Sequence, residues 1–375
     1  MKRLSLTPRA NWRELVEQAG MQYHTIDDAT YWDEGACYQF NVHEIDILDA
    51  ATSELNVLCQ QAIEEVIRSD LFSRLRIPEA FVPFVISSWE KNDPSLYGRF
   101  DLAWDGSGPP KLLEYNADTP TALLEASVVQ WFWLRDVFPR ADQFNSIHEK
   151  LLSFWDEWPR HLPVHFACAA GSAEDYWNTE YLRDTAVQRG LTTERLFIEE
   201  IGWDTMYGKF VGANDEVIRT LFKLYPWEWM IREEFGRFLP KSTMYTLEPP
   251  WKMLLSNKGI LPILWQMFPD HENLLPASFE DNPLDGDYIR KPLFSREGEN
   301  IELHRAGGVV RTGGGYGSEG FIQQRYAPLP CFDGNYPVIG SWVINGYSAG
   351  IGIREDKSEI TTNSSRFIPH FFLEV

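Results

Sequence analysis

Two short runs of mixed apolar and polar residues in the first third of the chain are candidates for paired β-strands. RFDLAW, which begins at Arg99, and KLLEY, which ends at Tyr115, flank a stretch rich in Gly, Ser and Pro. Because such a stretch favours reversal of the chain, the two runs are predicted to pair as a β-hairpin. Alternation puts Arg99 and Asp101 on one face, and Glu114 and Asn116 on one face. If the turn closes symmetrically, Asp101 lies opposite Glu114, and Arg99 lies opposite Asn116.

This register gathers three oxygen-bearing side chains, those of Asp101, Glu114 and Asn116, beside the guanidinium of Arg99. Few, hard oxygen ligands on a rigid element suit Mg²⁺ that keeps water and phosphate in its coordination shell. The alternative is a ladder of cross-strand ion pairs on a solvated sheet face. The segment NADTPTALLEA that follows favours a site, because its amides and hydroxyls precede a helix and can bind an anion.

Longer apolar patterns on either side of the hairpin predict further elements. The spacing of leucine and alanine predicts a helix from about Glu44 to Arg76. The continuous apolar run FVPFVISSW predicts a buried strand before the hairpin, and a helix is expected after it, from about Pro120 to Phe138.

A second region, which begins near His161, has the order strand, helix, strand. The runs HFACAA and RLFIEEI enclose a helix that stops at Gly190, and this order predicts a small parallel sheet. Glu174 and Asp175 fall in the first helical turn, beside a strand's carboxyl end, where open α/β sheets often bind ligands. Alternatively, both acids only complement the helix dipole. The sequence leaves both roles open for Glu174 and favours the second for Asp175.

A third region, which begins near Leu247, offers cations and a glycine-containing loop. PPWKMLLSNKGILPILWQMFP is amphipathic and mostly helical, and YIRKPLFSREGENIEL is predicted as strand, polar loop, strand. Lys291 ends the first strand, and Arg296 and Gly298 lie on the loop, so the segment can hold nucleotide phosphates although it is not a P-loop. FIQQRYAPLP and VIGSWVINGYSAGIGIRED are predicted as strands of one antiparallel sheet. Near its end, Arg354 is either a second anion holder or a surface residue.

Composition narrows the class of protein. The chain has 375 residues and a formal net charge of −21, which disfavours non-specific binding to nucleic acid and to anionic membranes. No apolar stretch reaches the length of a membrane span. The four cysteines are scattered and form neither a zinc pattern nor a disulfide framework, so we expect reduced thiols and a cytoplasmic protein.

Taken together, RFDLAWDGSG, LLEYNADTPTALLEA, PPWKMLLSNKGILPILWQMFP, YIRKPLFSREGENI and FIQQRYAPLP resemble the glutathionylspermidine synthase family of ATP-grasp carboxylate–amine ligases. The resemblance covers most of the chain, from about residue 30 to the end. It implies an α/β, circularly permuted ATP-grasp fold with a small parallel-sheet pre-ATP-grasp subdomain, because the metal hairpin precedes the nucleotide lysines. We expect an N-terminal region over 1–160 with the hairpin, the pre-ATP-grasp subdomain over 161–245, and the nucleotide-binding region over 246–375.

The resemblance also implies a role for each matching residue. Mg²⁺ would be ligated by Asp101, Glu114 and Asn116. The peptide substrate would be held by Thr119, Thr121 and Glu174, with Arg99 on the carboxylate under attack and Arg354 on the intermediate. ATP would be bound by Lys258, Lys291, Arg296, Gly298, Gln324, Arg325 and Tyr326.

The implied reaction joins a glutathione-like peptide carboxylate to a polyamine-like amine, with ATP and Mg²⁺, through an acyl phosphate. Where the family has a second acid that helps to bind the polyamine, this chain has Ala173, so the identity of the amine stays open. The chain also lacks room for the amidase domain of the bifunctional relatives. Two alternatives remain: an ATP-grasp enzyme for a different peptide or protein, and a non-catalytic nucleotide-binding module. The oligomeric state is not predicted.

Overall fold

The computed structural model describes residues 1–26, 28–362 and 365–373, and helices border its sheets. The α-helices are α1 (Trp12–Gln18), α2 (Val42–Arg68), α3 (Val82–Glu90), α4 (Gln130–Val137), α5 (Ile147–Asp156), α6 (Ala173–Gln188), α7 (Trp227–Met230) and α8 (Ile260–Met267). Short 3₁₀ segments cover Glu79–Phe81, Ile198–Glu200, Gly236–Lys241 and Pro250–Leu254, and a π-helical turn covers Glu125–Val129.

Within the described residues the strands form three larger sheets, one three-stranded sheet of the first, fourth and last strands, and two strand pairs. They are β1 (Lys2–Ser5), β2 (Thr25–Ile26), β3 (Ala29–Thr30), β4 (Ala36–Asn41), β5 (Tyr97–Ala103), β6 (Lys111–Asn116), β7 (Val164–Cys168), β8 (Thr193–Phe197), β9 (Gly202–Asp204), β10 (Lys209–Val211), β11 (Thr220–Leu224), β12 (Tyr245–Leu247), β13 (Ala277–Phe279), β14 (Tyr288–Pro292), β15 (Glu302–Arg305), β16 (Gly308–Arg311), β17 (Phe321–Arg325), β18 (Tyr336–Ile344), β19 (Tyr347–Asp356), β20 (Arg366–Ile368) and β21 (His370–Leu373).

The predicted hairpin is confirmed and belongs to a sheet with the last strands of the chain. This antiparallel sheet has the order β20-β19-β18-β5-β6, and β5 pairs with both β18 and β6. Hairpin and C-terminal strands are thus one structural unit although more than two hundred residues separate them in sequence. The circular permutation that the chain order suggests stays a prediction.

The fold contains two further large sheets. One is antiparallel with the order β13-β17-β14-β15-β16 and carries Lys291 on β14. The expectation that FIQQR shares a sheet with VIGSWVI is wrong, because β17 pairs with β13 and β14, whereas β18 pairs with β5 and β19. The other sheet is parallel, with the order β12-β11-β7-β8, which confirms the predicted small parallel sheet.

Helix α2 packs on the hairpin's sheet and supplies much of the core. Asn41 and Glu44 form a capping box that starts the helix at Val42, ahead of the predicted start. The helix ends at Arg68, short of the predicted Arg76, and Asp70 then turns the chain with a positive φ. Its buried stripe, which includes Leu48, Leu55, Cys59, Ala62 and Val66, lies against β18, β19 and α8.

The run FVPFVISSW is helical, so the predicted buried strand is wrong. A 3₁₀ turn leads into α3, and Pro83 lies in its first turn, where the missing N–H costs no hydrogen bond. Val85 and Ser88 are buried at helical spacing, and Trp89 packs edge-on against Trp251 with ring centroids 5.4 Å apart. A short apolar run is compatible with either element, and burial on one face decides it here.

Among the residues that the structure describes, no helix is both long and apolar enough to cross a membrane.

Candidate active site

The hairpin register brings the predicted metal residues together. Asp101 lies opposite Glu114 and Arg99 opposite Asn116, as the alternation of the strands predicts. Immediately beyond, Leu102 pairs with Leu112, so Leu113 is an extra residue that bulges from β6. The bulge frees the carbonyl of Leu113 from the strand ladder, and that carbonyl accepts a hydrogen bond from Lys291 Nζ at 2.9 Å.

Arg99 and Asp101 form a buried two-pronged ion pair. Arg99 donates from Nε to one Asp101 oxygen at 2.6 Å and from NH2 to the other at 3.0 Å. Its NH1 donates to the backbone carbonyl of Thr121 at 2.7 Å, which ties the strand to the segment after the hairpin. Gly340 on β18 makes room for this side chain, because a Cβ there would lie 2.7 Å from Arg99 Cδ.

Glu114 lies between two lysines. Lys258 Nζ is 3.0 Å from Glu114 Oε2, and Lys291 lines the same cleft. Burial raises the pKa of Glu114, but the charges of Lys258 and Lys291 outweigh it and lower that pKa to about 2. Burial lowers the pKa of Lys291 to about 8, with Glu114 opposing the fall. The pair of lysines therefore keeps this carboxylate ionised.

The side chain of Asn116 joins the two acids. Its Nδ2 donates to Asp101 Oδ2 at 3.1 Å and to Glu114 Oε1 at 3.3 Å. Burial raises the pKa of Asp101, although Arg99 opposes it, so this carboxylate gains from additional positive charge. A half-turn of the Asn116 amide would present its oxygen beside the two carboxylates.

This donor set fits Mg²⁺, which takes carboxylate and amide oxygens. The set contains only two carboxylates, and in the described part of the chain no group of three or more His, Cys, Asp or Glu is arranged to hold a metal ion.

The loop between β14 and β15 faces the segment that follows the hairpin. Arg296 NH1 donates to Thr119 Oγ1 at 2.6 Å, and its NH2 lies 2.9 Å from Glu228 Oε1. Gly298 has a φ of 71°, and a Cβ there would clash with the carbonyl oxygen of Thr361, so the loop packs on backbone. The structure thus joins the predicted nucleotide loop to the predicted peptide-binding Thr119.

Of the three predicted adenine-side residues, one lines the cleft and a second is buried against a lysine of the cleft. Gln324 accepts a hydrogen bond from Lys291 Nζ at 2.7 Å, and Tyr326 lines the cleft and donates its hydroxyl to Glu359. Arg325 lies between them, and its guanidinium is beside Gly286, on the opposite side of the strand.

Arg354 lines a smaller cavity next to the cleft, together with Arg99, Asp101 and Ala122. Its NH2 donates to the carbonyl of Thr362, while its buried Nε has no hydrogen-bond partner within the ranges that the structure describes. An unpartnered buried N–H is costly, so this atom is prepared for an acceptor. Thr121 contributes its carbonyl to Arg99 on the same side.

Glu174 lies in the first turn of α6, behind the N-cap Ser172, and has no ion pair among the described residues. Its negative charge raises the pKa values of three other acids. It adds to burial in raising the pKa of Asp175 to about 6, that of Glu297 on the β14–β15 loop, and that of Glu125 to about 7.

Three acids in or near the site, Glu228, Glu359 and Glu125, were not predicted from the sequence. Glu228 binds Arg296, Glu359 binds Tyr326, and Glu125 is fully buried with one oxygen bound by Tyr31 OH at 2.8 Å. Glu228 follows the carboxyl end of β11, so the edge rule that selected Glu174 could also have found it. Nothing in the sequence distinguishes the other two.

The sequence matches, over residues 3–373, the family model described as glutathionylspermidine synthase preATP-grasp. A Haemophilus influenzae protein described as a candidate acid–amine ligase is 38% identical over 393 residues, and the alignment covers 100% of both chains. The trypanothione synthetase of Crithidia fasciculata is 28% identical, with 96% of this chain and 61% of that protein covered. The bifunctional glutathionylspermidine synthetase/amidase of Escherichia coli is 26% identical, with 85% and 56% covered. The chain therefore spans little more than half the length of these last two relatives.

The chain is similar in three dimensions to a glutathione synthetase-like effector of Globodera pallida, solved in its apo form. The TM-score is 0.59, and the match covers 97% of this chain and 96% of the other at 10% sequence identity. At that identity the likeness shows the fold alone, and it confirms the predicted α/β fold of the ATP-grasp type.

Proposed function

This chain belongs to the glutathionylspermidine synthase family and is a carboxylate–amine ligase, and we propose that it couples ATP to amide formation between a peptide carboxylate and an amine. We expect the carboxylate substrate to be glutathione-like and the amine substrate to be polyamine-like. These are the substrate classes that the names of the Escherichia coli and Crithidia relatives indicate for those proteins.

The observation that carries the proposal is the meeting of three distant segments in one cleft. Asp101 and Glu114 from the hairpin, Lys258, Lys291 from β14 and Gly298 from the adjoining loop all line it. Paired lysines beside ionised carboxylates suit a polyphosphate and its metal ion, because the lysines meet phosphate oxygens and the acids meet the metal. A cross-strand ladder of surface ion pairs would not need these partners.

In the proposed reaction, an oxygen of the peptide carboxylate attacks the γ-phosphorus of ATP. The bond from that phosphorus to the ADP oxygen breaks, which leaves an acyl phosphate and ADP. The amine nitrogen then attacks the acyl carbon, the bond to phosphate breaks, and the amine gives up one proton. Because no enzyme nucleophile is consumed, catalysis depends on positioning and charge neutralisation.

The residues divide these tasks. Asp101, Glu114 and Asn116 would hold Mg²⁺, which supplies positive charge to the phosphates when bound. Lys258, Lys291 and Arg296 would bind ATP phosphates, with Gly298, Gln324 and Tyr326 along the nucleotide. Arg325 is left out, because its guanidinium lies beside Gly286 on the opposite side of the strand.

On the acceptor side, Arg99 and Arg354 would meet the carboxylate and the charge that develops on it. Thr119, Thr121 and Glu174 would orient the peptide. The unpartnered Nε of Arg354 supports this assignment.

The test is phosphate release from ATP and Mg²⁺ across a matrix of peptides and amines, followed by mass spectrometry of the products. We expect ADP, phosphate and an amide for at least one pair of a thiol tripeptide and a polyamine. If an amide forms only from other acids or amines, the ligase activity is supported and the proposed substrates are wrong. If the protein binds ATP but forms no product with any pair, the ligase proposal fails and a nucleotide-binding module takes its place.

A further inference from the structure

Asp118 is a buried acid to which the proposed reaction assigns no role. It lies between Asn116, the last residue of the hairpin, and Thr119, and its two carboxylate oxygens have different partners. Oδ1 accepts a hydrogen bond from Lys223 Nζ at 2.6 Å, and Oδ2 accepts one from the backbone amide of Trp227 at 2.9 Å. Asp118 therefore attaches the segment after the hairpin to two points at the carboxyl edge of the parallel sheet.

The partner Lys223 is itself held in one position. It lies on β11 and is fully buried, and its Nζ also donates to the carbonyl of Tyr225 at 2.9 Å. The same Nζ lies 4.5 Å from the centre of the Trp227 ring. Because the cost of removing two charges from water offsets their attraction, a buried ion pair contributes little net stability. The geometry that this pair fixes is the better explanation for it.

The contacts of Asp118 and Thr119 close a circuit around α7. Thr119 accepts a hydrogen bond from Arg296, and Arg296 also donates to Glu228, which follows Trp227 in the chain. The backbone between Asp118 and Thr119 and that between Trp227 and Glu228 complete the circuit. A shift of Asp118 away from Trp227 would therefore also move the Thr119 hydroxyl relative to Arg296.

We propose that Asp118 is a positioning residue, which holds Thr119 in place for the peptide by fastening its segment to Lys223 and to the start of α7. This inference rests on the proposed function, because the peptide-binding role of Thr119 is itself a proposal. Arg296 keeps a second partner in Glu228 when Thr119 moves. Loss of Asp118 should therefore weaken peptide binding more than nucleotide binding.

Asp118→Asn tests the attachment with almost no change in size. Both partners of Asp118 are donors, and an asparagine side chain offers only one acceptor oxygen. If that oxygen stays with the charged Lys223, the new amide group faces the Trp227 N–H, which loses its acceptor. Hydrogen–deuterium exchange of the full chain without ligands measures the result. We expect about tenfold faster exchange in residues 117–122 and 226–231, because a buried donor is left without a partner, and unchanged exchange in α2.

Initial rates with the acid and amine that give product in the substrate matrix provide a second readout. Asp118→Asn should raise KM for the carboxylate substrate about tenfold and leave KM for ATP within about twofold. General damage to the fold would instead lower the active fraction, and thus kcat, without separating the two KM values. Glu34→Gln is the matched control, because Glu34 is also a buried acid paired with a cation, Arg9, away from the cleft. It should change neither the exchange of the two segments nor either KM.

A neutral variant guards against a fold defect, since Asp118→Asn leaves the charge of Lys223 buried and unpaired. Asp118→Leu with Lys223→Met removes both charges, and proteins often tolerate the replacement of a buried ion pair by apolar residues. It should show the same faster exchange and the same rise in KM for the carboxylate substrate.

Three results would each overturn the inference: wild-type exchange of both segments in either variant, an equal rise of exchange in α2, or an unchanged KM for the carboxylate substrate. If the wild-type chain forms no amide with any pair of substrates, the proposed function fails. The exchange result alone then decides whether Asp118 fastens the two segments.

Discussion

The nucleotide cleft and the carboxyl edge of the parallel sheet differ in how their acids are neutralised. In the cleft, Asp101 faces Arg99, and Glu114 faces Lys258. At the carboxyl edge of the parallel sheet, Glu174 and Asp175 in the first turn of α6 have no ion-pair partner among the described residues. Both regions contain several acids, and Glu228, which follows β11, is paired with Arg296, whereas Glu174 and Asp175 are not paired among the described residues.

This difference indicates which ligand charge each region favours. Paired charges are already positioned, so the cleft can exchange an internal partner for a phosphate or a metal ion without gathering new groups. Unpaired acids repel one another, and the pKa values of Asp175, Glu297 and Glu125 rise in part because of Glu174. A positively charged ligand would relieve that repulsion. We therefore expect the cleft to bind anions such as phosphate groups.

The largest expected effect comes from breaking the paired side. Glu114→Gln removes the charge between the two lysines, and we expect the ligase rate to fall by about two to three orders of magnitude. Steady-state phosphate release measures it, and Glu64→Gln on the exposed face of α2 is the control. A rate within twofold of the wild type would remove Glu114 from the active site.

The next prediction concerns Glu125, a fully buried acid whose pKa is raised by its burial and in part by the charge of Glu174. Burial, with help from Glu174, raises the pKa of Glu125 to about 7 from its usual 4.5. A raised pKa favours the protonated folded state, so this contribution to stability is complete below pH 4.5 and is lost as pH rises through 7. Glu125→Gln imitates the protonated form, and it should raise the free energy of unfolding at pH 8 by roughly 2 to 3 kcal/mol.

Urea unfolding of Glu125→Gln and wild type at pH 4.5 and pH 8 measures this difference. The gain should be confined to the higher pH, and Glu64→Gln should show none at either pH. A variant that is equally or less stable than the wild type at pH 8 would contradict the burial of an ionisable Glu125 carboxyl.

A steric change tests whether the pairing of Arg99 is needed. Gly340→Ala puts a methyl group 2.7 Å from Arg99 Cδ and must displace the guanidinium from Asp101 or from the Thr121 carbonyl. We expect kcat to fall about tenfold, in line with the cost of overpacking a filled site. Gly307→Ala is the matched control, because a Cβ there meets nothing within 4 Å. Equal kcat values for the two variants would show that Arg99 need not hold this position.

The smallest expected effect is at Glu228, which connects the two regions. Its carboxylate holds Arg296, so Glu228→Gln should free that guanidinium for ATP phosphates. We expect KM for ATP to fall about threefold, with kcat unchanged, because a partly exposed ion pair contributes little. Initial rates at varied ATP measure both constants. A rise in KM would mean that Glu228 positions Arg296 for the nucleotide instead of withholding it.

The sequence predicted local geometry well where turn chemistry and alternation act together. The hairpin register followed from period-2 alternation around a Gly- and Pro-rich turn, and the parallel sheet followed from the strand–helix–strand order. The run FVPFVISSW was misassigned because a short apolar run carries no period, and tertiary burial made it a helix.

Contacts between distant segments could not be derived from local patterns. The strand FIQQR joined a different sheet from the one expected, and its Gln324 reaches Lys291 across that sheet. Glu228 meets Arg296 from 68 residues away, and Glu125 meets Tyr31 from 94 residues away. The family resemblance pointed to most of the cleft, but it did not indicate these acids, whose importance arises from burial and partners.

The central claim is that the hairpin acids and the two lysines form one metal–nucleotide site. Calorimetric titration with ATP, in the presence of Mg²⁺ and then of EDTA, on wild type and on Glu114→Gln, tests it most directly. We predict that Mg²⁺ tightens ATP binding to the wild type and that Glu114→Gln loses this gain while it still binds ATP without the metal. An equal gain from Mg²⁺ in both proteins would contradict the claim.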